Sequence, residues 1–228
     1  MSTTKGNRRG FTLLEILLAV TIMGLVASVT FMTFSAATSA WRRALALGDH
    51  LHHGVFVMDQ LVMALRSTYY PNAKGIDPDY GFHQIDNGNG EGAQDEISWV
   101  KLGSALIGDD TRFVESAHRV RFFVTEDARG DSAAAITAWR LLGQPDDFDP
   151  DTLDPIFLSK RIVGFDCKTA FEANEDGEID WLDVWEETNR VPLVVSVTLY
   201  LEPIDRGEPP LELKRIVELP VGGLSWGK

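Results

Sequence analysis

With 228 residues and 44 % hydrophobic side chains, the chain can bury one sizeable core, alone or beside an accessory element. A formal net charge of −13, with no basic patch carrying interleaved aromatics, excludes nucleic acid as a partner of the body. The single cysteine, Cys167, rules out an internal disulfide and a thiol-rich metal site, and in its apolar, strand-like setting it reads as a small buried hydrophobe.

Residues 1–10 hold Lys5, Arg8 and Arg9 and no acid. From Phe11 to Trp41 the chain is almost wholly apolar or small, and Glu15 is its only charge. About 20 apolar residues in a helix cross the roughly 30 Å hydrocarbon layer, so this run is long enough to span. It is too long for an ordinary secretory signal, and Ser35-Ala36-Ala37 is a poor cleavage site. Bases ahead of the span put the N-terminus in the cytoplasm and the body outside. Arg42 and Arg43 oppose that bias, but Asp49 and the acidic body follow closely. A carboxylate at membrane depth costs about 2.5 to 3.5 kcal/mol, so Glu15 needs a reason. Taken alone it has two plain ones: an interfacial acid that snorkels or protonates, or a first-turn acid that complements the helix dipole.

Its neighbours supply a third. Arg8-Arg9-Gly10-Phe11-Thr12-Leu13-Leu14-Glu15 resembles the signal of the type IV pilin and pseudopilin superfamily: a basic leader ending in Gly, then Phe, three residues, Glu and an unbroken apolar helix. The resemblance implies that a prepilin peptidase cuts between Gly10 and Phe11 and methylates the new amine of Phe11. It also implies a filament in which the Glu15 carboxylate of one subunit meets the Phe11 amine of its neighbour. Two charges that pair inside lipid avoid a penalty neither escapes alone.

Beyond Trp41 the apolar residues thin to Leu47, Leu51, Val55, Met58, Leu61, Val62 and Leu65, the spacing of one helical face. Tyr69-Tyr70-Pro71 ends the helix. The expected organisation is a leader over 1–10, a long helix over 11–68 with a membrane-spanning first half, and a β-rich domain over 69–228. Gly24, Gly48 and Gly54 lower helix stability locally. His50, His52 and His53 lie close together, but no acid or thiol is spaced to complete a metal site with them.

Strand-like runs follow at Glu96 to Lys101, Arg119 to Thr125, Ile136 to Leu142, Ile162 to Phe171, Pro192 to Leu201 and Leu213 to Leu219. Polar, turn-rich stretches separate them, at Asp77 to Asp95, Gln144 to Pro155, Asn174 to Asp180 and Asp205 to Pro210. Short strands with polar connections indicate antiparallel sheet. The fold class is therefore α+β, and the resemblance to pilins implies the pilin fold, a long N-terminal helix packed on an antiparallel β-rich domain.

The C-terminal third carries a second resemblance. Asp180-Trp181-Leu182-Asp183-Val184-Trp185, then Val191-Pro192 and the strand after it, then Ile216-Val217-Glu218-Leu219-Pro220, is similar to the J-type minor pseudopilins of type II secretion. That family has Leu-Pro where this chain has Val191-Pro192. The resemblance implies a subunit near the tip of a periplasmic pseudopilus that drives export through the outer membrane. Its partners would be the prepilin peptidase, the I- and K-type minor pseudopilins and the major pseudopilin. Its place would be the bacterial inner membrane, single-pass, with a periplasmic domain. A minor pilin of a surface type IV pilus, serving adhesion, motility or DNA uptake, is the alternative. A membrane-anchored enzyme or receptor is a third, but no G-x-S-x-G, H-E-x-x-H, P-loop or Rossmann fingerprint is present, so the reading is of a non-enzyme.

No cofactor is required, and calcium is the one for which the sequence offers a candidate. Over Glu172 to Asp183, side-chain oxygens fall at Glu172, Asn174, Asp176, Asp180 and Asp183, the Glu178 carbonyl takes the seventh place, and Gly177 takes the sixth. This resembles a twelve-residue calcium loop. The other reading is an acidic, solvated turn between strands.

Overall fold

The computed structural model describes residues 12–71, 80–145, 147–171, 179–205 and 207–225. The chain divides into two compact units, Met1–Leu47 and Gly48–Lys228. Helix α1 runs Leu13–Arg66. From Leu13 to Ala37 it is exposed on every side, and its leucines, isoleucines, valines and phenylalanines point outward. Thr21, Ser28, Thr30, Thr33 and Thr38 each donate a hydroxyl to the carbonyl four residues back, at 2.8 to 2.9 Å. These five hydroxyls are thereby satisfied within the helix, as a lipid environment favours.

In the second unit α1 becomes the spine of a β domain. Strands β1 (His83–Ile85), β2 (Glu96–Lys101), β3 (His118–Glu126), β4 (Ser132–Arg140) and β5 (Ile156–Ser159) form an antiparallel meander in chain order. Strands β6 (Ile162–Ala170), β7 (Val194–Leu201) and β8 (Leu211–Glu218) form a second antiparallel sheet. The expected α+β class is what is found, but the sheet is divided in two. Both layers share one core. Val120, Phe122 and Val124 alternate inward on β3, and Phe122 meets Phe165 of β6 edge-to-face at 4.8 Å. The Trp99 indole of β2 donates to the Ala64 carbonyl of α1 at 3.1 Å.

The buried face of α1 is His50, Gly54, Val57, Met58, Leu61, Ala64 and Leu65. It is rotated from the expected stripe, since Val55 is exposed whereas His50 and Gly54 are buried. Gly54 explains the rotation. A Cβ there would stand 2.5 Å from Leu201 Cδ2 and 2.8 Å from Leu213 Cδ1, so the glycine admits β7 and β8 against the helix. The helix ends where its backbone finds β2: Tyr69 N–H donates to Val100 O at 2.8 Å and Leu102 N–H to Ser67 O at 3.1 Å.

β4 begins at Ser132, four residues ahead of the expected start at Ile136, because Ala133, Ala134 and Ala135 are fully buried strand residues despite alanine's low strand preference. β1 and β5 were not expected. β1 is a three-residue strand inside a stretch that reads as turn-rich, and β5 is a four-residue strand just beyond another.

The two sheets meet at a seam. Phe165 N–H donates to Ala93 O at 2.9 Å, and Asp95 N–H to Phe165 O at 3.0 Å, a local parallel pairing. Gly164 makes room, because a Cβ would lie 2.9 Å from the Glu91 carbonyl oxygen. The Asp95 carboxylate closes the seam by accepting from Asn87 N–H at 2.9 Å and Cys167 N–H at 2.7 Å. Burial is the main cause that raises its pKa, to about 6, against the two backbone donors that lower it. The folded protein therefore holds this proton more tightly than the unfolded chain. Asp95 contributes most to stability below 3.8, and that contribution is lost as pH rises through about 6. The thermal midpoint of wild type over Asp95→Asn should accordingly shrink between pH 4 and pH 7. A difference that stays flat or grows would show that burial does not govern this carboxyl.

Candidate functional site

The N-terminal turn of α1 is built by two side chains. Glu15 N–H donates to Thr12 Oγ1 at 3.3 Å, and Thr12 N–H reaches Glu15 Oε2 at 3.5 Å. Thr12 is thus the cap and Glu15 the third helical residue of a reciprocal capping box, long but correctly paired. The Thr-x-x-Glu spacing is legible in the sequence, and it gives Glu15 a local role beside any intersubunit one. Both residues are exposed, so the carboxylate is presented outward at the positive end of the helix dipole. Gly10 and Phe11 lie outside the described residues.

α1 is the one helix among the described residues that is long and apolar enough to cross a membrane. In the second unit, the sequence's other candidates take structural places. His50 is buried with Nδ1 3.2 Å from Glu202 O, and His53 Nε2 lies 3.7 Å from Asp49 Oδ1, which also faces Arg161 at 2.6 Å through Oδ2. Cys167 is buried, and burial pushes its thiol pKa well up, so it is inert. Trp185 is a core residue packed on Phe171 at 4.7 Å, with its indole donating to Glu187 O at 2.9 Å.

Of the calcium candidates, Glu172, Asn174, Asp176 and Glu178 lie outside the described residues. Asp180 and Asp183 are described, and Asp183 Oδ1 receives Lys168 Nζ at 2.5 Å. Its carboxylate would have to leave that pair to bind a cation. Among the described residues no three His, Cys, Asp or Glu side chains are gathered for a metal.

Lys101 and His118 form a buried basic pair that sequence reading missed. Lys101 Nζ donates to Gly103 O at 2.6 Å and lies 3.2 Å from His118 Nε2, and His118 Nδ1 lies 2.8 Å from Ser116 O. Burial drives the Lys101 pKa down to about 8 and lowers that of His118 as well. Both side chains are sealed from solvent, so the pair pins the loop between β2 and β3 and is out of reach of a substrate.

An exposed apolar helix that opens on a capped carboxylate, and that continues as the spine of an α+β domain, fits a membrane anchor. Residues 5–31 match the prokaryotic N-terminal methylation motif, which supports a protein of the type IV pilin-like class and implies processing by a prepilin peptidase and assembly with other pilins. That class is structural rather than enzymatic. No curated protein matches the chain.

Proposed function

We propose that the chain is a minor pseudopilin of a type II secretion system, assembling near the tip of a periplasmic pseudopilus that drives protein export through the outer membrane. The observation that carries this reading is the methylation motif over 5–31 leading directly into a capped Glu15 at the head of an exposed apolar helix. The C-terminal resemblance to J-type pseudopilins supports the particular member, with Trp185 and Val191 both in the domain core. In this reading the peptidase cuts at Gly10–Phe11 on the cytoplasmic face, the N-terminus stays cytoplasmic and the β domain is periplasmic.

The test is mass spectrometry of the mature protein together with affinity copurification of the full chain from its own membranes. The expected result is an N-terminus at methylated Phe11 and recovery with I- and K-type minor pseudopilins. An uncut N-terminus in cells with an active prepilin peptidase would sink the processing step. Recovery with pilus subunits in place of pseudopilins would transfer the chain to a surface pilus.

A further inference from the structure

The five-stranded sheet turns one face to the core, and its other face is not plain surface. Period-two alternation puts Glu96 and Ser98 of β2, Arg119 and Arg121 of β3, and Trp139 of β4 on that outer face, opposite Ile97, Trp99, Val120 and Phe122. Register sets Ser98 beside Arg121 and Arg119 beside Trp139. The segment after β4 folds over one side of them and leaves a cleft of about 560 Å³. That volume is in the range that takes a small ligand or a short stretch of peptide.

In a chain of net charge −13, this cleft is lined by three arginines, Arg119, Arg121 and Arg140, against one carboxylate from the sheet, Glu96. The polar groups are held in place. Arg119 is buried and donates to Ser98 Oγ at 3.1 Å and Gly81 O at 3.2 Å. Arg121 donates to Thr137 Oγ1 at 3.1 Å, lies 3.6 Å from Glu96, and its guanidinium carbon stands 5.1 Å from the centre of the Phe123 ring. Arg140 is exposed at the rim and has no ion pair among the described residues.

The roof shows which chemistry the cleft accepts. Phe148 lies against Trp139 with ring centroids 6.3 Å apart, and Asp151 pairs with Arg121. An aromatic ring and a carboxylate three positions apart, on one segment, occupy two subsites at one side. The one-turn helix Pro150–Thr152 that presents Asp151 is itself capped by Asp149, whose carboxylate accepts from Asp151 N–H at 2.9 Å. The open remainder offers the same two kinds of contact again, with Arg140 for charge and Ile85 and Leu141 for apolar contact. We propose that this cleft binds an acidic peptide segment of a partner protein, seating an aromatic or apolar side chain against Ile85 and Leu141 and a carboxylate on Arg140. A guanidinium fork suits a carboxylate. The proposal stands independently of the filament reading, since it uses only the second unit.

The test uses the full chain in detergent micelles and a fluorescein-labelled peptide, Asp-Phe-Asp-Pro-Asp-Thr, copied from Asp147 to Thr152, read by fluorescence anisotropy. Saturable binding is expected below about 1 mM peptide. It should weaken about tenfold in Arg140→Glu, an exposed position whose thermal midpoint should not move. It should weaken likewise when the peptide's acids become Asn, and again as salt is raised toward about 0.5 M. Arg140→Gln gives an intermediate loss, and it decides the matter should the charge reversal disturb folding. Absence of saturation, equal binding of the neutral peptide, or undiminished binding by both Arg140 variants would overturn the proposal. Equal displacement by the neutral saccharide tetra-N-acetylchitotetraose would overturn it too, and would mark the cleft as a sugar groove.

Discussion

Replacing Glu15 with leucine is expected to leave the protein inserted in the membrane at normal abundance while reducing its recovery in filaments at least about tenfold. The leucine removes a membrane-depth carboxylate that costs about 2.5 to 3.5 kcal/mol, so insertion itself should not suffer. What it also removes is the partner proposed for a neighbouring subunit's amine, and losing one member of a desolvated pair strands the other. The capping box supplies a competing explanation, because leucine also deletes the Glu15 contact to Thr12 N–H. Glu15→Gln separates the two. Glutamine keeps the capping geometry and discards the charge. If charge pairing governs assembly, glutamine and leucine fail alike; filaments restored by glutamine would reduce Glu15 to a helix cap. The assay is immunoblotting of sheared or crosslinked filaments against total membrane protein.

Gly81→Ala should be the most damaging single methyl group in the second unit. A Cβ on Gly81 would fall 1.7 Å from the carbonyl oxygen of Thr188, a backbone atom that has no rotamer in which to retreat. The contact is close because Phe82 N–H donates to Arg190 O at 2.8 Å, drawing the two segments together and seating Phe82 against Trp99 with centroids 6.5 Å apart. Admitting the methyl means parting those segments and loosening the buried Phe82. A loss of about 3 kcal/mol is expected, corresponding to about 6 to 12 °C in the midpoint for a domain of this size. Gly48→Ala is the control: nothing lies within 4 Å of its Cβ position, and alanine favours the helix. Circular dichroism melts of the full chain in detergent would show the contrast. Equal midpoints for Gly81→Ala and wild type would mean that the 188–190 segment yields freely.

The parts of this molecule that were legible in its sequence are those that a local pattern determines. The apolar run and its end at Tyr69-Tyr70-Pro71 locate α1, which stops at Arg66. Alternating β-branched and aromatic residues locate β2, β3, β6, β7 and β8 to within two residues at either end. What stayed hidden depends on contacts between distant segments. Ala133, Ala134 and Ala135 carry almost no strand signal, and their burial in β4 is decided by the layers that cover them. The rotation of the α1 face follows from Leu201 and Leu213 pressing on Gly54, about which the heptad-like spacing of α1 is silent. The joining of the two sheets turns on the Ala93–Asp95 segment meeting Phe165, a pairing of residues far apart in the chain. Of the candidate site, Glu15 stood out because a lone charge in lipid is costly, whereas its Thr12 partner followed an ordinary capping spacing that the stronger signal overshadowed. The arginine cleft could not be read at all, since Arg119, Arg121 and Arg140 share a neighbourhood only once β3 and β4 are in register.

Five hydroxyls of the apolar part of α1 return to their own helix, at Thr21, Ser28, Thr30, Thr33 and Thr38. None of them therefore has to be answered by a hydrogen-bonding group on a neighbouring helix. Turned about its long axis, the cylinder from Thr21 to Thr33 would present the same kind of oily surface at almost any azimuth, so polar contacts along that stretch would not tell one orientation from another. Angular preference has to come from the outline of the side chains, where Gly24 leaves a notch and Phe31 and Phe34 make ridges.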